Sequence, residues 1–151
     1  MGPETATYPG LIKVLTLWQP WATFMVLTRE AGLAEKAFET RSWPTHYRGR
    51  LAIHASKKLD PAAVEVYRLV PWVRFVMHKH GFRTLQDLPL GCVVGTVEIV
   101  GCHRTEEISH HISRGERDLG DFARGRFAWQ CINPVRFEQP IPCAGHQGLW
   151  D

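Results

Sequence analysis

Three residues with acid–base side chains lie close together in the segment 36–41 (KAFETR). On a β-strand, Glu39 and Arg41 would share one face, and Lys36 would join them only if a turn or bulge lay near Ala37. If the three side chains converge, the cations can donate to phosphate or carbonyl oxygens and the carboxylate can transfer protons. The alternative is a surface strand with an ordinary ion pair, worth less than about 1 kcal/mol.

Glu98 is a second candidate for chemistry, because it is the only charged residue between Asp87 and Arg104. It lies in the most apolar stretch of the chain, where a carboxylate needs a partner. We expect it to face a cleft and to pair with Lys36 or Arg41, which makes Lys36, Glu39 and Glu98 the candidate catalytic set. An edge position with Glu98 in water is the alternative.

Aromatic and basic residues alternate in the loop 42–50, which is bounded by proline and glycine. Such a loop can stack a base and contact a phosphate at the same time, although Trp43 could equally fill the core. The candidate ligand-binding residues in and around this loop are Arg41, Trp43, His46, Tyr47, Arg48, Arg50, His54, Lys57, Lys58 and Arg126.

The positive charge of the chain is local. The chain has 18 basic and 15 acidic residues, and the segment 36–58 alone contains six basic residues and one acidic residue. A patch of this kind favours an anionic partner such as RNA or another single-stranded nucleic acid. A sheet edge protected by Lys and Arg side chains is the alternative.

Other kinds of site have weaker support. The four cysteines include no CxxC pair, so neither a disulfide scaffold nor a paired zinc knuckle is expected. A zinc site from Cys143 and His146 with Cys102 or His103 is a minor alternative, and we predict no metal and no cofactor.

We also expect no association with membranes. The longest uncharged run, 14–28, is shorter than the roughly 18 residues that a membrane span needs. The first residues carry Glu4 and no basic stretch typical of a signal peptide. We therefore expect a cytoplasmic protein, with a monomer favoured.

The 151 residues fit one domain, 1–151, with 1–10 as a flexible extension. Strands are predicted at 12–17, 36–43, 50–56, 92–100 and 125–132, with an extended loop at 139–150 that holds at most one short strand. Helices are predicted from Pro20 to about Glu30 and from Pro61 to Gly81, the second divided at Pro71. Residues 103–119 are predicted as loop with a short helix. This pattern favours an α+β fold, a small mostly antiparallel β-barrel or curled sheet with peripheral helices.

Several blocks of the chain together resemble the ASCH domain family, named for homology to the activating signal cointegrator. They are 15–22 (LTLWQPWA), 36–43 (KAFETRSW), 47–55 (YRGRLAIHA), 88–95 (LPLGCVVG), 120–129 (GDFARGRFAW) and 147–150 (QGLW). The resemblance spans about residues 11–150. It implies a PUA-like β-barrel with flanking helices and an RNA-related role. The family's G-x-K-x-x-E-x-R motif would line a cleft with Lys36, Glu39 and Arg41, and Ala34 replaces its glycine.

The resemblance leaves the chemistry open. One small bacterial relative hydrolyses acetylated cytidine nucleosides with a Lys, a Thr and a Glu, which correspond to Lys36, Glu39 and Glu98. Glu39 in place of Thr removes the candidate nucleophile. Other members are nucleases or nucleic-acid-binding modules. An RNA-binding module is therefore our first hypothesis, and a hydrolase acting on a modified nucleoside or on RNA is the second.

Overall fold

The computed structural model describes residues 12–151, so the predicted extension at 1–10 lies outside the described residues. Short 3-10 turns cover Leu85–Asp87 and Ser109–His111. In chain order the strands and helices are β1 (Lys13–Leu17), α1 (Trp21–Val26), β2 (Thr28–Glu30), β3 (Leu33–Ala34), β4 (Phe38–Arg41), β5 (Gly49–Ala55), α2 (Pro61–Leu69), α3 (Pro71–Lys79), β6 (Cys92–Arg104), α4 (Thr105–Ile108), α5 (Arg114–Asp118), β7 (Phe127–Pro142) and β8 (Leu149–Trp150).

The main sheet has six strands in the order β4-β7-β6-β5-β1-β8. All neighbours in it are antiparallel except β1 and β5, which run parallel with Leu17 opposite Ala55. The sheet curls into a half-barrel, so that Arg41 on the edge strand β4 donates to the carbonyl of Thr16 in β1 at 3.0 Å. The predicted α+β fold with a mostly antiparallel, curled sheet is confirmed.

The hydrophobic core has two main parts and a small third cluster of Val14, Ala52 and Val93. The first lies against the curled sheet and contains Trp129 and the β6 residues Val97 and Ile99, all almost fully buried. The second joins α1 to α3 through Phe24 and Met77. α1 therefore contributes buried residues to both parts of the core, whereas α3 contributes only to the second.

The first helix is shorter than predicted, because α1 ends at Val26 and residues 28–30 form strand β2. The returning chain accounts for the difference. The amide of Glu35 donates to the Leu27 carbonyl and the amide of Lys36 to the Phe24 carbonyl. Two carbonyls at the end of α1 thereby gain partners from another segment, which ends the helix.

Two predicted strands have different limits. β4 begins at Phe38 instead of 36, so Lys36 lies in the bend that precedes it. β7 extends to Pro142, well past the predicted end at 132. It pairs with β4 only through Gln130, and on the same edge the amides of Cys131 and Asn133 donate to the carbonyls of Ala37 and Gly32.

The remaining elements agree more closely with the sequence pattern. The Asp60 carboxylate caps α2 by accepting from the amide of Ala62 at 3.0 Å, and Pro71 begins α3. Gly81 follows α3 with a φ of +88°, a conformation that favours glycine. β6 continues to Arg104, and α4 and α5 occupy the segment predicted as loop with a short helix.

None of the helices within residues 12–151 has the length and apolar character to cross a membrane.

We predict that Gly95→Ala destabilises the fold, because a Cβ at Gly95 would lie 2.1 Å from the backbone oxygen of Val135. β6 and β7 would have to separate there, at a cost of about 2 kcal/mol or more in the free energy of unfolding. Urea denaturation measures this cost. Gly120→Ala is the matched control, since its Cβ would meet the ring of Phe122 at 3.0 Å, which can move, and the Thr40 hydroxyl at an ordinary contact distance of 3.5 Å. Equal midpoints for the two variants would contradict the prediction.

Candidate functional site

The described part of the chain forms an open cleft of about 1350 Å³. Its walls come from the ends of β1 and β5, from β4, from one side of α2 and from the segment 143–148. Eight of the residues predicted from the sequence line it, namely Lys36, Glu39, Arg41, Trp43, His54, Lys57, Lys58 and Arg126.

The cleft floor is a row of alternating charges. Lys36 Nζ lies 3.4 Å from Glu39 Oε1, and Arg41 Nη2 lies 3.0 Å from Glu39 Oε2. The side chains of Lys36 and Glu39 are only 2% and 10% exposed. Lys36 Nζ also donates to the carbonyl of Phe38. The bend before β4 is what brings Lys36 to the same side as Glu39, as the sequence argument required.

Two buried carboxylates hold the chain around Lys36. Both oxygens of Glu116 accept from the amide of Ala37 at 3.0 Å, and one accepts from the amide of Phe38 at 2.9 Å. Burial raises the pKa of the Glu116 carboxyl above its usual value of 4.5, although Lys36 and these amides oppose the shift. Glu116 therefore fixes the backbone between Lys36 and Glu39.

Glu35, the second carboxylate, connects the same bend to α3. Its side chain is 1% exposed and contacts Lys79 and His80 through Oε1. Burial raises the pKa of Glu35, but the hydrogen bonds and charges of Lys79 and His80 outweigh burial and leave it below its usual value. The bend that carries Lys36 is thus anchored on both sides.

Beneath the floor lies a free thiol. Burial raises the pKa of the Cys131 thiol, and the nearby Glu39 carboxylate adds to the shift. The thiol therefore stays protonated and does not offer a nucleophile.

His54 forms part of the opposite wall. It is 1% exposed, and its Nε2 lies 2.8 Å from the carbonyl of Cys143, so Nε2 must carry the proton. Nδ1 lies 3.2 Å from the hydroxyl of Thr16. A Cβ at Gly145 would come within 2.6 Å of the His54 ring, so the segment 143–148 can pack this closely only with glycine there.

Three tryptophans, Trp18, Trp21 and Trp43, give the cleft its aromatic surface. The sequence left open whether Trp43 faces a ligand site or fills the core. Its ring does both, because it lines the cleft and packs edge-on against the buried Trp129, with ring centroids 4.8 Å apart. The core thereby fixes the orientation of one cleft wall.

The rim of the cleft carries the cations that are most accessible. Lys57 and Lys58 are exposed and follow the end of β5. On the other side Arg126 donates to the carbonyls of Thr40 at 3.3 Å and Asp121 at 3.2 Å. Its guanidinium is therefore held against the edge of β4.

The expectation that Glu98 pairs with Lys36 or Arg41 is wrong. Its neighbours in β6, Val97 and Ile99, point into the core, so Glu98 points to the opposite face of the strand. There it is half-buried, accepts from the Asn133 side chain at 3.1 Å and does not line the cleft.

Four other predicted residues, His46, Tyr47, Arg48 and Arg50, also lie outside the cleft lining. The hydroxyl of Tyr47 donates to the carbonyl of Arg50, and the Arg50 guanidinium donates to the carbonyl of Asn133 at 2.7 Å. Tyr47 thus binds the backbone of its own loop and Arg50 binds that of β7, and only Trp43 from the loop lines the cleft.

The minor zinc alternative has no support in the geometry. Across residues 12–151, no three His, Cys, Asp or Glu side chains come close enough to hold a metal ion. His103 instead contacts the side chain of Gln130 at 2.9 Å.

Several cleft residues could not be identified from sequence spacing. Glu116 is far from the motif in sequence, and no local pattern marks it. The segment 143–148 is marked in the sequence only as a zinc alternative and as part of a family block, not as a cleft wall. Trp18 had a usable signal, because a tryptophan directly before Gln19-Pro20, at the end of a strand, is poorly placed for burial.

The curled sheet, the helices packed on it and the cleft define a small α+β domain with a charged, aromatic cleft. The family model described as "ASCH domain" matches residues 15–141, which is most of the chain. The chain belongs to the ASCH domain family.

The chain is also similar to several known proteins. Activating signal cointegrator 1 of Homo sapiens and of Mus musculus are each 30% identical to this chain over 136 residues, 90% of its length. The chain spans only 21% of the length of either relative. A crystal structure of ASCH from Zymomonas mobilis is 16% identical and aligns with a TM-score of 0.48 over 86% of this chain and 72% of that chain. A mutant of that protein gives 0.47 over 86% and 74%.

We predict a distinctive pH dependence for Glu116. A carboxyl whose pKa is higher in the folded than in the unfolded state stabilises the fold when the pH is below 4.5, the usual pKa of the group. This contribution to stability is lost as the pH rises. The stability advantage of the wild type over Glu116→Gln should therefore be smaller at pH 7 than at pH 4. Urea denaturation of both proteins at the two pH values measures the difference, and a growing advantage with pH would contradict the prediction.

Proposed function

We propose that this chain is a nucleic-acid-binding module that acts as a monomer and binds RNA in the cleft. The observation that carries the proposal is the cleft itself, which joins five basic side chains to three tryptophans in one open surface. The basic residues in its lining are Lys36, Arg41, Lys57, Lys58 and Arg126.

The size of the cleft supports a polymer over a small molecule. Pockets for small ligands measure about 300–1,000 Å³, and this open cleft measures about 1350 Å³. Basic groups beside aromatic rings are the usual combination for single strands, because the phosphates bind the charges and the bases stack.

Family membership points in the same direction. The resemblance noted in the sequence implies an RNA-related role for this cleft. The four cysteines are free, which fits the reducing conditions of the cytoplasm, and a cytoplasmic location is part of the proposal.

We expect RNA binding to depend on salt. If three or four of Arg41, Lys57, Lys58 and Arg126 contact phosphates, the plot of log K against log salt should have a slope of about −2 to −3, from about −0.7 per contact on a single strand. Fluorescence anisotropy with a labelled single-stranded RNA measures the slope. Binding that does not change with salt would reject the cleft rim as a phosphate-binding surface.

Variants can test whether the cleft, and not the basic segment in general, binds the strand. Replacing both Lys57 and Lys58 with Ala should make the slope shallower by about 1.4, because two contacts are lost. Arg48→Ala is the matched control, since Arg48 belongs to the same basic segment but not to the cleft lining. A larger effect from Arg48→Ala than from the double variant would contradict the proposal.

A second candidate function is hydrolysis of a modified nucleoside or of RNA. It is favoured by one observation, the pairing of Lys36 with Glu39 at 3.4 Å on the floor of the cleft. Glu98, the third member of the predicted catalytic set, lies outside this floor, so Glu39 is the better candidate for a general base.

We expect any such activity to require the Glu39 carboxylate and not the Glu98 carboxylate. Glu39→Gln should lower the turnover by at least about 100-fold, the usual scale for a general base, whereas Glu98→Gln should leave it unchanged. Single-turnover hydrolysis measures both, with circular dichroism to confirm that the variants fold. A loss of activity in Glu98→Gln alone would contradict the assignment.

A further inference from the structure

Trp18 is the one exposed tryptophan in the chain, with 46% of its surface accessible. It lies at the mouth of the cleft, directly after β1. An indole ring left half in water forfeits much of the stabilisation that burial gives so large an apolar group. This position therefore suits a ring that is covered by a ligand.

The parallel pairing of β1 and β5 places Trp18 beside two lysines. Leu17 lies opposite Ala55, and the amide of Ser56 donates to the carbonyl of Leu17 at 2.9 Å. The carboxyl ends of both strands lie at the same end of the sheet. Trp18 and the pair Lys57–Lys58, which follow these strands, therefore lie near each other. The carboxyl ends of parallel strands are a common place for ligand sites.

The backbone under Trp18 is held firmly although its ring is not. The Trp18 carbonyl accepts from the amide of Ala22 at 3.1 Å. The next side chain, Gln19, is fully buried and donates to the hydroxyl of Thr23 at 2.7 Å and to the carbonyl of Pro89 at 2.8 Å. The backbone that carries the ring is therefore preorganised, which lowers the entropy lost when a ligand binds.

The two lysines are equally available. Across residues 12–151 neither Lys57 nor Lys58 forms an ion pair, and both are exposed. The backbone near them is fixed, because the amide of Gly91 donates to the carbonyl of Ala55 at 2.9 Å. A Cβ at Gly91 would lie 3.3 Å from the Cβ of Lys57, so the two segments are in close contact.

We propose that Trp18, Lys57 and Lys58 form a subsite for one unpaired nucleotide of single-stranded RNA, at the rim and apart from the charged floor. The base stacks on the Trp18 ring, and the phosphates beside it contact the two lysines. Stacking on an aromatic face does not distinguish the four bases, so this subsite tolerates any sequence. The inference rests on the proposed function and adds to it the unpaired state of the bound nucleotide.

The test compares four variants in anisotropy titrations with a labelled single-stranded RNA of about twelve nucleotides, a length within the range of single-strand sites. Trp18→Ala should weaken binding about 5- to 100-fold, the usual range for a lost stacked base, without changing the salt slope. Trp18→Phe, which keeps an aromatic face, should stay within about threefold of the wild type. Trp18→Leu, which keeps apolar volume, should behave like Trp18→Ala.

Phe75→Ala is the matched control, because Phe75 is 54% exposed on α3 and does not line the cleft. It should bind like the wild type. Binding by Trp18→Ala within about twofold of the wild type, or by Trp18→Leu as tight as by Trp18→Phe, would overturn the inference while the wild type still binds RNA. Failure of the wild type itself to bind any RNA would instead reject the proposed function.

Discussion

The contact between Arg41 and the Thr16 carbonyl connects two strands that lie far apart in the order of the sheet. β4 is an edge strand, and three strands separate it from β1, yet Arg41 Nη2 lies 3.0 Å from the oxygen of Thr16. This distance is possible only because the sheet curls. Thr16 and Arg41 both line the cleft, so the contact between them holds two of its walls together.

Glu39 lowers the free-energy cost of burying the two cations of the cleft floor. Removing Lys36 and Arg41 from water is costly, and a carboxylate between them offsets part of that cost. Glu116 and Glu35 contribute less directly. They hold the bend before β4, which keeps Lys36 within 3.4 Å of Glu39. The floor is thus a supported group of side chains and not a single ion pair.

Local sequence patterns predicted most of the fold and eight of the residues that line the cleft. Strand alternation, the Asp60 cap and the prolines at 61 and 71 act within a few residues, so their consequences can be inferred from the sequence. The position of Glu98 could not, because it depends on which face of β6 meets the core. The early end of α1 depends on carbonyls taken by residues 35 and 36, and Glu116 reaches its partners across 79 residues of sequence. Such contacts form only once the chain has folded.

The distribution of charge between floor and rim bears on how a strand could bind. On the floor, Glu39 offsets one of the two cations, and their donors already have protein acceptors. On the rim, Lys57 and Lys58 have no such partners among residues 12–151 and remain free to meet phosphates. A polyanion would therefore gain more from the rim than from the floor. The floor, with fixed donors and one carboxylate, is better suited to neutral polar groups, whose hydrogen bonds need fixed geometry more than net charge.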